Sequence, residues 1–168
     1  MESETTSAPP DSLRELTTSG EQRECFLEFL SSARYRVDIL SRVLDPAIFD
    51  DSAVSTGLRD FVLQSKRARV RLLLRDSSTV VRRGHRVVSL IQRLPTYFEV
   101  KTLAREHLDT NWACVLFDDG PWIYRTFADR FEGSASNDDL VRHRELTRQF
   151  DDLWEAGRLD TQFRRLQL

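Results

Sequence analysis

The run "RVRLLLRD", residues 69–76, has three consecutive leucines between charged ends. Apolar residues on both faces of a short strand indicate that both faces are covered, which is typical of an internal strand in a parallel sheet. Residues 54–62 before this run and residues 87–94 after it have apolar residues at helical spacing. A strand between two helical crossovers predicts an α/β domain.

Other apolar segments predict the remaining strands and helices. Strands are expected at residues 35–40, 96–103, 111–118 and 121–127, and helices at residues 21–33 and 138–156. A single helix is expected from about residue 79 or 82 to residue 94, where Pro95 ends it. The resulting order is a helix followed by β-α-β-α-β-β-β-α. It predicts an α/β fold with a mixed, mostly parallel sheet flanked by helices.

The 168 residues suffice for one domain, which we place at residues 19–168. Residues 1–18 are rich in Ser, Thr, Pro and Glu, and they predict a disordered tail. The tail has neither an apolar core nor a basic leader, and no apolar run approaches the roughly 20 residues that span a bilayer. These features predict a cytoplasmic protein that does not enter membranes.

Cys25 and Cys114 lie among apolar residues, so we expect buried thiols in a reducing compartment. The scattered cysteines and histidines have no metal-ligand spacing, and no metal or other cofactor is predicted. The net charge of −2 argues against a general nucleic-acid binder, yet residues 59–93 hold ten basic and two acidic residues. Such a basic stripe either holds an anion or forms a solvated face.

Several stretches resemble one repeat of the phospholipase D superfamily. "VDILSRVLDP" is similar to the first strand and its outgoing loop, and "LRDFVLQSKRARVRLLLRD" to the helix, basic turn and second strand. "RGHRVVSLIQRL", "IYR" and the closing "FDDLWEAGRLDTQFRRLQL" resemble an uncharacterised bacterial family of phospholipase-D-like domains. The resemblance covers roughly residues 20–168. It implies a single phospholipase-D-like half-repeat.

The resemblance places the catalytic His, Lys and Asp of the superfamily at Asn111, Ala113 and Asp118. Active members use the His as a nucleophile that forms a phosphohistidine, and the Lys holds phosphate oxygens. An amide with a delocalised lone pair is a poor nucleophile, and an alanine carries no charge. We therefore expect a degenerate, catalytically inactive site.

The Gly-Ser element that follows in the superfamily would fall at Arg125 and Thr126. The letters "GSASN" occur later, at residues 133–137, where we expect a polar loop unrelated to that element. Arg125 is therefore expected to point into the cleft in place of the missing element.

An anion-binding site is expected beyond the carboxyl ends of the parallel strands, where ligands of open α/β sheets bind. Arg42, Arg86 and Arg125 are expected to converge as a clamp, since a guanidinium binds phosphate or carboxylate through two donors. Gly84 is expected to allow the close approach of another backbone, and His85 to favour an anion near a helix N-terminus. The complete predicted site comprises Arg42, Asp76, Gly84, His85, Arg86, Asp118 and Arg125.

Structural roles for the same residues stay open. Residues 82–86 can line a solvated helix face, with His85 donating one hydrogen bond under Asp76 or Asp118. Asp118 is expected to cap the hairpin or pair with an arginine rather than act as a base. Surface positions are expected for His107 and His143. Core positions, rather than a stacking platform for bases, are expected for Trp112, Trp122 and Trp154.

The leading hypothesis is a non-catalytic binding or interaction module that recognises a phosphate-bearing ligand such as nucleic acid. The alternatives are a hydrolase of phosphate esters with a site rebuilt around His85 or His107, and a purely structural dimerisation domain. The resemblance also implies a homodimer in which two motif strands meet at a two-fold axis. It further implies a protein partner of the acetyltransferase type.

Overall fold

One eight-stranded sheet runs through the computed structural model, which describes residues 13–118, 120–160 and 162–163. In chain order the strands are β1 (Arg14–Leu16), β2 (Arg36–Ser41), β3 (Arg69–Leu74), β4 (Phe98–Thr102), β5 (Ala113–Phe117), β6 (Trp122–Arg125), β7 (Gly133–Ser136) and β8 (Arg158–Leu159). They lie side by side in the order β1-β7-β6-β5-β2-β3-β4-β8.

The sheet is mixed, which confirms the α/β prediction. β2, β3 and β4 are parallel to one another, and the other described pairs are antiparallel. The prediction that most neighbouring strands are parallel is therefore wrong. The reason is that β5, β6 and β7 follow one another as antiparallel neighbours, without helical crossovers.

Helices lie on both faces of the sheet. They are α1 (Ser19–Ser32), α2 (Pro46–Phe49), α3 (Ser52–Leu63), α4 (Ser78–Arg83), α5 (Arg86–Arg93) and α6 (Leu140–Ala156), with short 3-10 helices at Pro95–Tyr97 and Arg105–His107. Residues of α1, α3 and α5 pack in the larger hydrophobic core, and residues of α6 pack in a smaller one on the other face. Among the described residues, no helix has the length and apolar composition needed to cross a membrane.

Alternation along β2 divides its side chains between the two cores. Val37 and Ile39 join the larger core, and Leu40 joins the smaller one beneath α6. Each apolar side chain buried in this way contributes roughly 1.5–3 kcal/mol. Asp38 shares the α6 face with Leu40 and is only 3% exposed, so the strand carries a buried charge between apolar residues.

Two neighbouring strands at one side of the sheet lie where the sequence predicts irregular structure. Arg14–Leu16 falls inside the predicted disordered tail but forms β1, and Gly133–Ser136 falls inside the expected polar loop but forms β7. These two strands pair with each other, and β7 also pairs with β6. Both strands are short and lack an alternating apolar pattern, so pairing with neighbours determines them rather than local sequence. The first part of the predicted tail, residues 1–12, lies outside the described residues.

The helix expected to end before Pro95 is divided into α4 and α5. Gly84 separates them with a φ of 74°, a conformation that glycine adopts without strain. A Cβ atom at this position would have no other atom within 4 Å, so the expected close approach of another backbone is wrong. The glycine is required by the turn between the helices and not by a contact.

Most of the predicted core positions are confirmed. Cys25 and Cys114 are free and buried, and burial raises the pKa of the Cys25 thiol to about 11. Trp122 and Trp154 are buried, whereas Trp112 is only partly buried. In the C-terminal segment Phe163 is buried.

Candidate functional site

The first residues of β5 offer no group for phosphoryl transfer. Asn111 is exposed just before the strand, and Ala113 is its first residue and is 1% exposed. Ala113 lies opposite Arg125 of β6. The cavity beside them has a volume of about 10 Å³, enough for about one water molecule and too small for a phosphate group.

A buried ion pair occupies the position that the sequence assigns to the anion clamp. Nη2 of Arg125 donates to Oδ2 of Asp45 at 2.6 Å, and Nη1 donates to the carbonyl of Arg130 at 3.0 Å. Arg125 is only 4% exposed. Asp45 also accepts from the Ser41 hydroxyl at 3.3 Å, which ties the loop after β2 to the end of β6. The expectation that Arg125 points into an open cleft is therefore wrong, because its charge is already paired inside the protein.

His85 holds the loop after β2 and begins α5. Its Nδ1 accepts from the backbone N–H of Val87 at 3.1 Å, which leaves the proton on Nε2 to donate to the carbonyl of Leu44 at 3.0 Å. The amide of Leu44, whose φ is 54°, donates to the hydroxyl of Ser41 at 3.0 Å. The structural hydrogen bond of His85 is therefore made to Leu44 and not under Asp76 or Asp118. Both ring nitrogens are used, so His85 has no free lone pair with which to attack a substrate.

We expect His85 to make the stability of the fold pH-dependent. Burial lowers the pKa of His85 below its usual 6.5, so the unfolded chain binds a proton at His85 before the folded chain does. The contribution of His85 to the free energy of unfolding should therefore decrease as the pH falls below about 6.5, by at most about 1.4 kcal/mol per pH unit. His85→Asn, which can still cap α5, should flatten this dependence in urea unfolding curves from about pH 8 to pH 5. The control is His107→Asn; if both variants keep the wild-type dependence, the predicted role of His85 is wrong.

Arg86 and Asp76 lie near the same edge but have local partners. The backbone N–H of Arg86 donates to Asp50 at 3.0 Å, and its guanidinium lies 3.3 Å from the same carboxylate oxygen. These contacts lower the pKa of Asp50, and the backbone hydrogen bond from Arg86 has the largest effect. Asp76 accepts from the hydroxyl of Ser78 at 2.6 Å and from its N–H at 2.9 Å, and these bonds lower the pKa of Asp76.

Asp118 lies at the opposite edge of the sheet. Its carboxylate accepts from the backbone N–H groups of Arg34, Tyr35 and Arg36 at 3.0–3.2 Å, where the chain enters β2. Because β5 is antiparallel to β2, the end of β5 meets the start of β2 and lies away from the carboxyl ends of the parallel strands. The inclusion of Asp118 in the anion site is therefore wrong, and it caps the turn after α1 rather than the hairpin.

A row of arginines follows the carboxyl ends of the parallel strands. It comprises residues directly after β2 and β3, a residue shortly after β4 and the last two residues of α4. We call this row the basic edge, and it consists of Arg42, Arg75, Arg82, Arg83 and Arg105. Within the described part of the chain, the guanidinium groups of Arg42, Arg75, Arg83 and Arg105 form no hydrogen bond or ion pair. The predicted site includes Arg42 but not the other four members, although the positions of Arg75 and Arg105 after parallel strands were a usable signal.

The opposite face of the sheet holds a second charged cluster beneath α6. Asp38 accepts from Nε and Nη2 of Arg71 at 2.7 and 2.9 Å and from Nε of Arg36 at 2.8 Å. Both arginines also reach Asp151 of α6, at 2.9 and 3.2 Å. Burial raises the pKa of Asp38 to about 7, and the Arg36 guanidinium opposes this rise. Sequence analysis missed this cluster, although Asp38 and Arg71 lie side by side in β2 and β3.

The other two histidines lie in different elements of the fold. Nε2 of His143 lies 2.7 Å from the carbonyl of Phe117, so this partly buried residue has a structural partner instead of the expected surface position. His107 lies in the short 3-10 helix after β4. Among the residues that the structure describes, no group of three or more His, Cys, Asp or Glu side chains could hold a metal ion.

Comparison with known proteins gives a family match and several structural matches. A family model described as "Domain of unknown function (DUF7931)" matches residues 18–166. No curated protein matches the sequence. One similar structure is that of TrmBL2, an archaeal chromatin protein described as showing a novel mode of DNA binding, with a TM-score of 0.62 and 11% identity. The match covers 93% of this chain and 56% of that chain, so this chain spans little more than half of TrmBL2.

Two further structures match over nearly their whole length. NucT from Helicobacter pylori has a TM-score of 0.58 and 14% identity, and the match covers 88% of this chain and 98% of that chain. Nuc from Salmonella typhimurium, a phospholipase D family member, has a TM-score of 0.56 and 11% identity, with coverage of 89% and 97%. At these identities the similarity shows the fold alone, which is a phospholipase-D-like sheet flanked by helices.

Proposed function

Because this chain belongs to the DUF7931 family of domains of unknown function, and its fold is phospholipase-D-like, we propose a function from its own residues. We infer that it is a degenerate single-repeat phospholipase-D-like module that does not catalyse phosphodiester hydrolysis. It binds the phosphate backbone of nucleic acid along the basic edge.

The inference of inactivity is supported by the residues at the start of β5. Asn111 and Ala113 supply neither a nucleophile nor a cation, and the adjacent cavity of about 10 Å³ does not admit a phosphate. The Arg125–Asp45 ion pair closes the same place from the side of β6. A hydrolase rebuilt around His85 lacks support, since both ring nitrogens of His85 have internal partners.

The observation that carries the binding proposal is the contrast among the arginines at one edge of the sheet. Arg125 and Arg86 are paired with carboxylates, whereas Arg42, Arg75 and Arg83 have no such partner among the described residues. Phosphate oxygens would supply partners for these free guanidinium groups, which bind phosphate through two parallel hydrogen bonds. TrmBL2, which has a similar fold, is a chromatin protein described as binding DNA, and this is compatible with a nucleic-acid ligand.

Acidic side chains near the basic edge neutralise it only in part. Asp45 is bound to Arg125, whereas Asp76, which accepts from Ser78, stays ionised and offsets part of the charge of Arg82. Glu106 is exposed beside Arg105, so the charge excess is greatest at the members after β2 and β3 and at the end of α4. The expected homodimer, acetyltransferase-type partner and cytoplasmic location stay predictions.

We expect Arg42/Arg75/Arg83→Ala to weaken nucleic-acid binding by at least about tenfold at low salt, since each lost phosphate contact removes a released counterion. Fluorescence anisotropy with a labelled oligonucleotide measures this loss. The matched control is Arg34/Arg67/Arg148→Ala, which removes the same charge at exposed arginines away from the basic edge. Equal losses in the two variants would mean that net charge, and not the basic edge, determines binding.

The same incubations test inactivity, because a bound oligonucleotide should stay intact on a denaturing gel. Cleavage that is lost in His85→Ala and survives in Asn111→Ala would support the rebuilt hydrolase and contradict the proposal. Failure of the wild-type chain to bind DNA or RNA at low salt would contradict the binding half of the proposal.

A further inference from the structure

A groove with an aromatic lining lies beside β6 and β7. Its volume is about 450 Å³, and its lining includes Tyr124, Thr126, Phe127, Arg130 and Glu132. We infer that this groove receives unpaired bases, so that the module prefers single-stranded nucleic acid to a duplex. The inference rests on the proposed function and names the class of nucleic acid that the basic edge binds.

The aromatic rings of the groove are accessible. Phe127 is 46% exposed, and Tyr124 is partly buried with its ring centroid 5.9 Å from that of Trp112. The prediction that Trp112 belongs to the core is only partly correct, since Trp112 is partly buried and packs against the smaller core. Exposed aromatic faces bind bases by stacking, and the interaction tolerates any sequence because every base has a π-face.

Cations accompany these rings. The guanidinium of Arg142 lies 4.8 Å from the ring centroid of Tyr124, and that of Arg130 lies 4.9 Å from that of Phe127. Arginines in these positions can contact the phosphates that flank a stacked base. Glu132 is the acidic residue of the lining, and a carboxylate accepts hydrogen bonds from the amino groups of bases rather than from phosphates.

The groove and the basic edge lie at the same edge of the sheet. β6 ends and β7 begins there, and β2 and β3 end there, because β5 is antiparallel to β2 and to β6. Three strand spacings separate β6 from β3, which is roughly 14 Å. One short extended segment of nucleic acid can therefore contact the aromatic groove and the arginines after β2 and β3 together. In a duplex the bases are stacked inside and their faces are not accessible to Tyr124 or Phe127.

The test compares Phe127→Ala with Leu63→Ala, a control that shortens another exposed apolar side chain, on α3. The probes are labelled oligothymidylate and oligouridylate of about 15 nucleotides and a DNA duplex of the same length. We expect Phe127→Ala to weaken binding of both single strands about tenfold and to change duplex binding by less than about twofold. Leu63→Ala should change none of the three affinities.

The outcomes separate this inference from the proposed function. If Phe127→Ala binds single strands as the wild type does, or loses single strands and duplex equally, the base-binding groove is wrong while the basic edge stands. If Phe127→Ala instead changes the oligomeric state in analytical ultracentrifugation without affecting binding, the groove is an interface between copies and the inference is wrong. If the wild-type chain binds none of the probes, the proposed function fails, and this inference fails with it.

Discussion

Asp38→Ala should lower the free energy of unfolding by about 3–5 kcal/mol at pH 8, where Asp38 is ionised. The carboxylate is 3% exposed and accepts three hydrogen bonds from Arg71 and Arg36. Without it, the Arg71 guanidinium remains beneath α6, 4.9 Å from the ring centroid of Phe150 and 5.1 Å from that of Trp154. Asp151 then compensates only part of that buried charge, because it is itself partly exposed.

A double variant distinguishes the contribution of the ion pair to stability from that of side-chain packing under α6. Asp38→Leu/Arg71→Met removes both charges and keeps apolar volume under α6, so we expect it to be much more stable than Asp38→Ala and close to the wild type. The control is Asp60→Ala, which breaks the exposed Arg59–Asp60 pair and should change stability by less than about 0.5 kcal/mol. Urea unfolding monitored by circular dichroism measures all three variants. An Asp38→Ala protein as stable as Asp60→Ala would show that the buried cluster does not hold α6.

Gly133→Ala should destabilise the fold by more than about 2 kcal/mol, because the added methyl group has no space. A Cβ atom at Gly133 would lie 2.3 Å from the carbonyl oxygen of Tyr124, a backbone atom in the paired strand β6, and 2.9 Å from Cγ of Arg125. β7 must then move away from β6, which weakens the pairing that also holds β1.

The matched control is Gly20→Ala in α1, where the nearest atom to the added Cβ would be 3.8 Å away. A helical alanine should raise stability by roughly 0.5–1 kcal/mol there, since glycine loses more entropy on folding. Thermal unfolding of both variants measures whether their stabilities change in these opposite directions. If Gly133→Ala unfolds at the wild-type temperature, the close contact of β7 with β6 does not exist in solution.

The sequence predicts the centre of this fold better than its edges. β2, β3 and β4 have apolar runs or alternation that reflect burial by helices, and such patterns are visible without tertiary information. β1, β7 and β8 are two to four residues long and owe their conformation to a neighbouring strand. Gly84 separates α4 from α5, but a glycine within a helical pattern is also compatible with an unbroken helix, so the sequence did not predict the break.

The candidate site, like the fold, could be predicted from the sequence only in part. The location beyond the ends of the parallel strands follows from fold-level rules, and Arg42 and Asp76 do lie there. The pairing of Arg125 with Asp45 joins residues 80 positions apart and depends on which strands are neighbours, so no local pattern predicts it. Asp118 follows β5 and was therefore assigned to the site, but β5 runs antiparallel to β2, so its carboxyl end lies opposite the carboxyl ends of the parallel strands.

The salt dependence of oligothymidylate binding tests the central claim, which is that this fold binds the phosphates of nucleic acid through the basic edge. The logarithm of the association constant should fall linearly with the logarithm of the salt concentration, with a slope of about −0.7 for each phosphate contacted in a single strand. Arg42/Arg75/Arg83→Ala should flatten that slope by about two units, while Arg34/Arg67/Arg148→Ala should leave it unchanged. A wild-type slope near zero, or equal slopes in the two variants, would contradict the account.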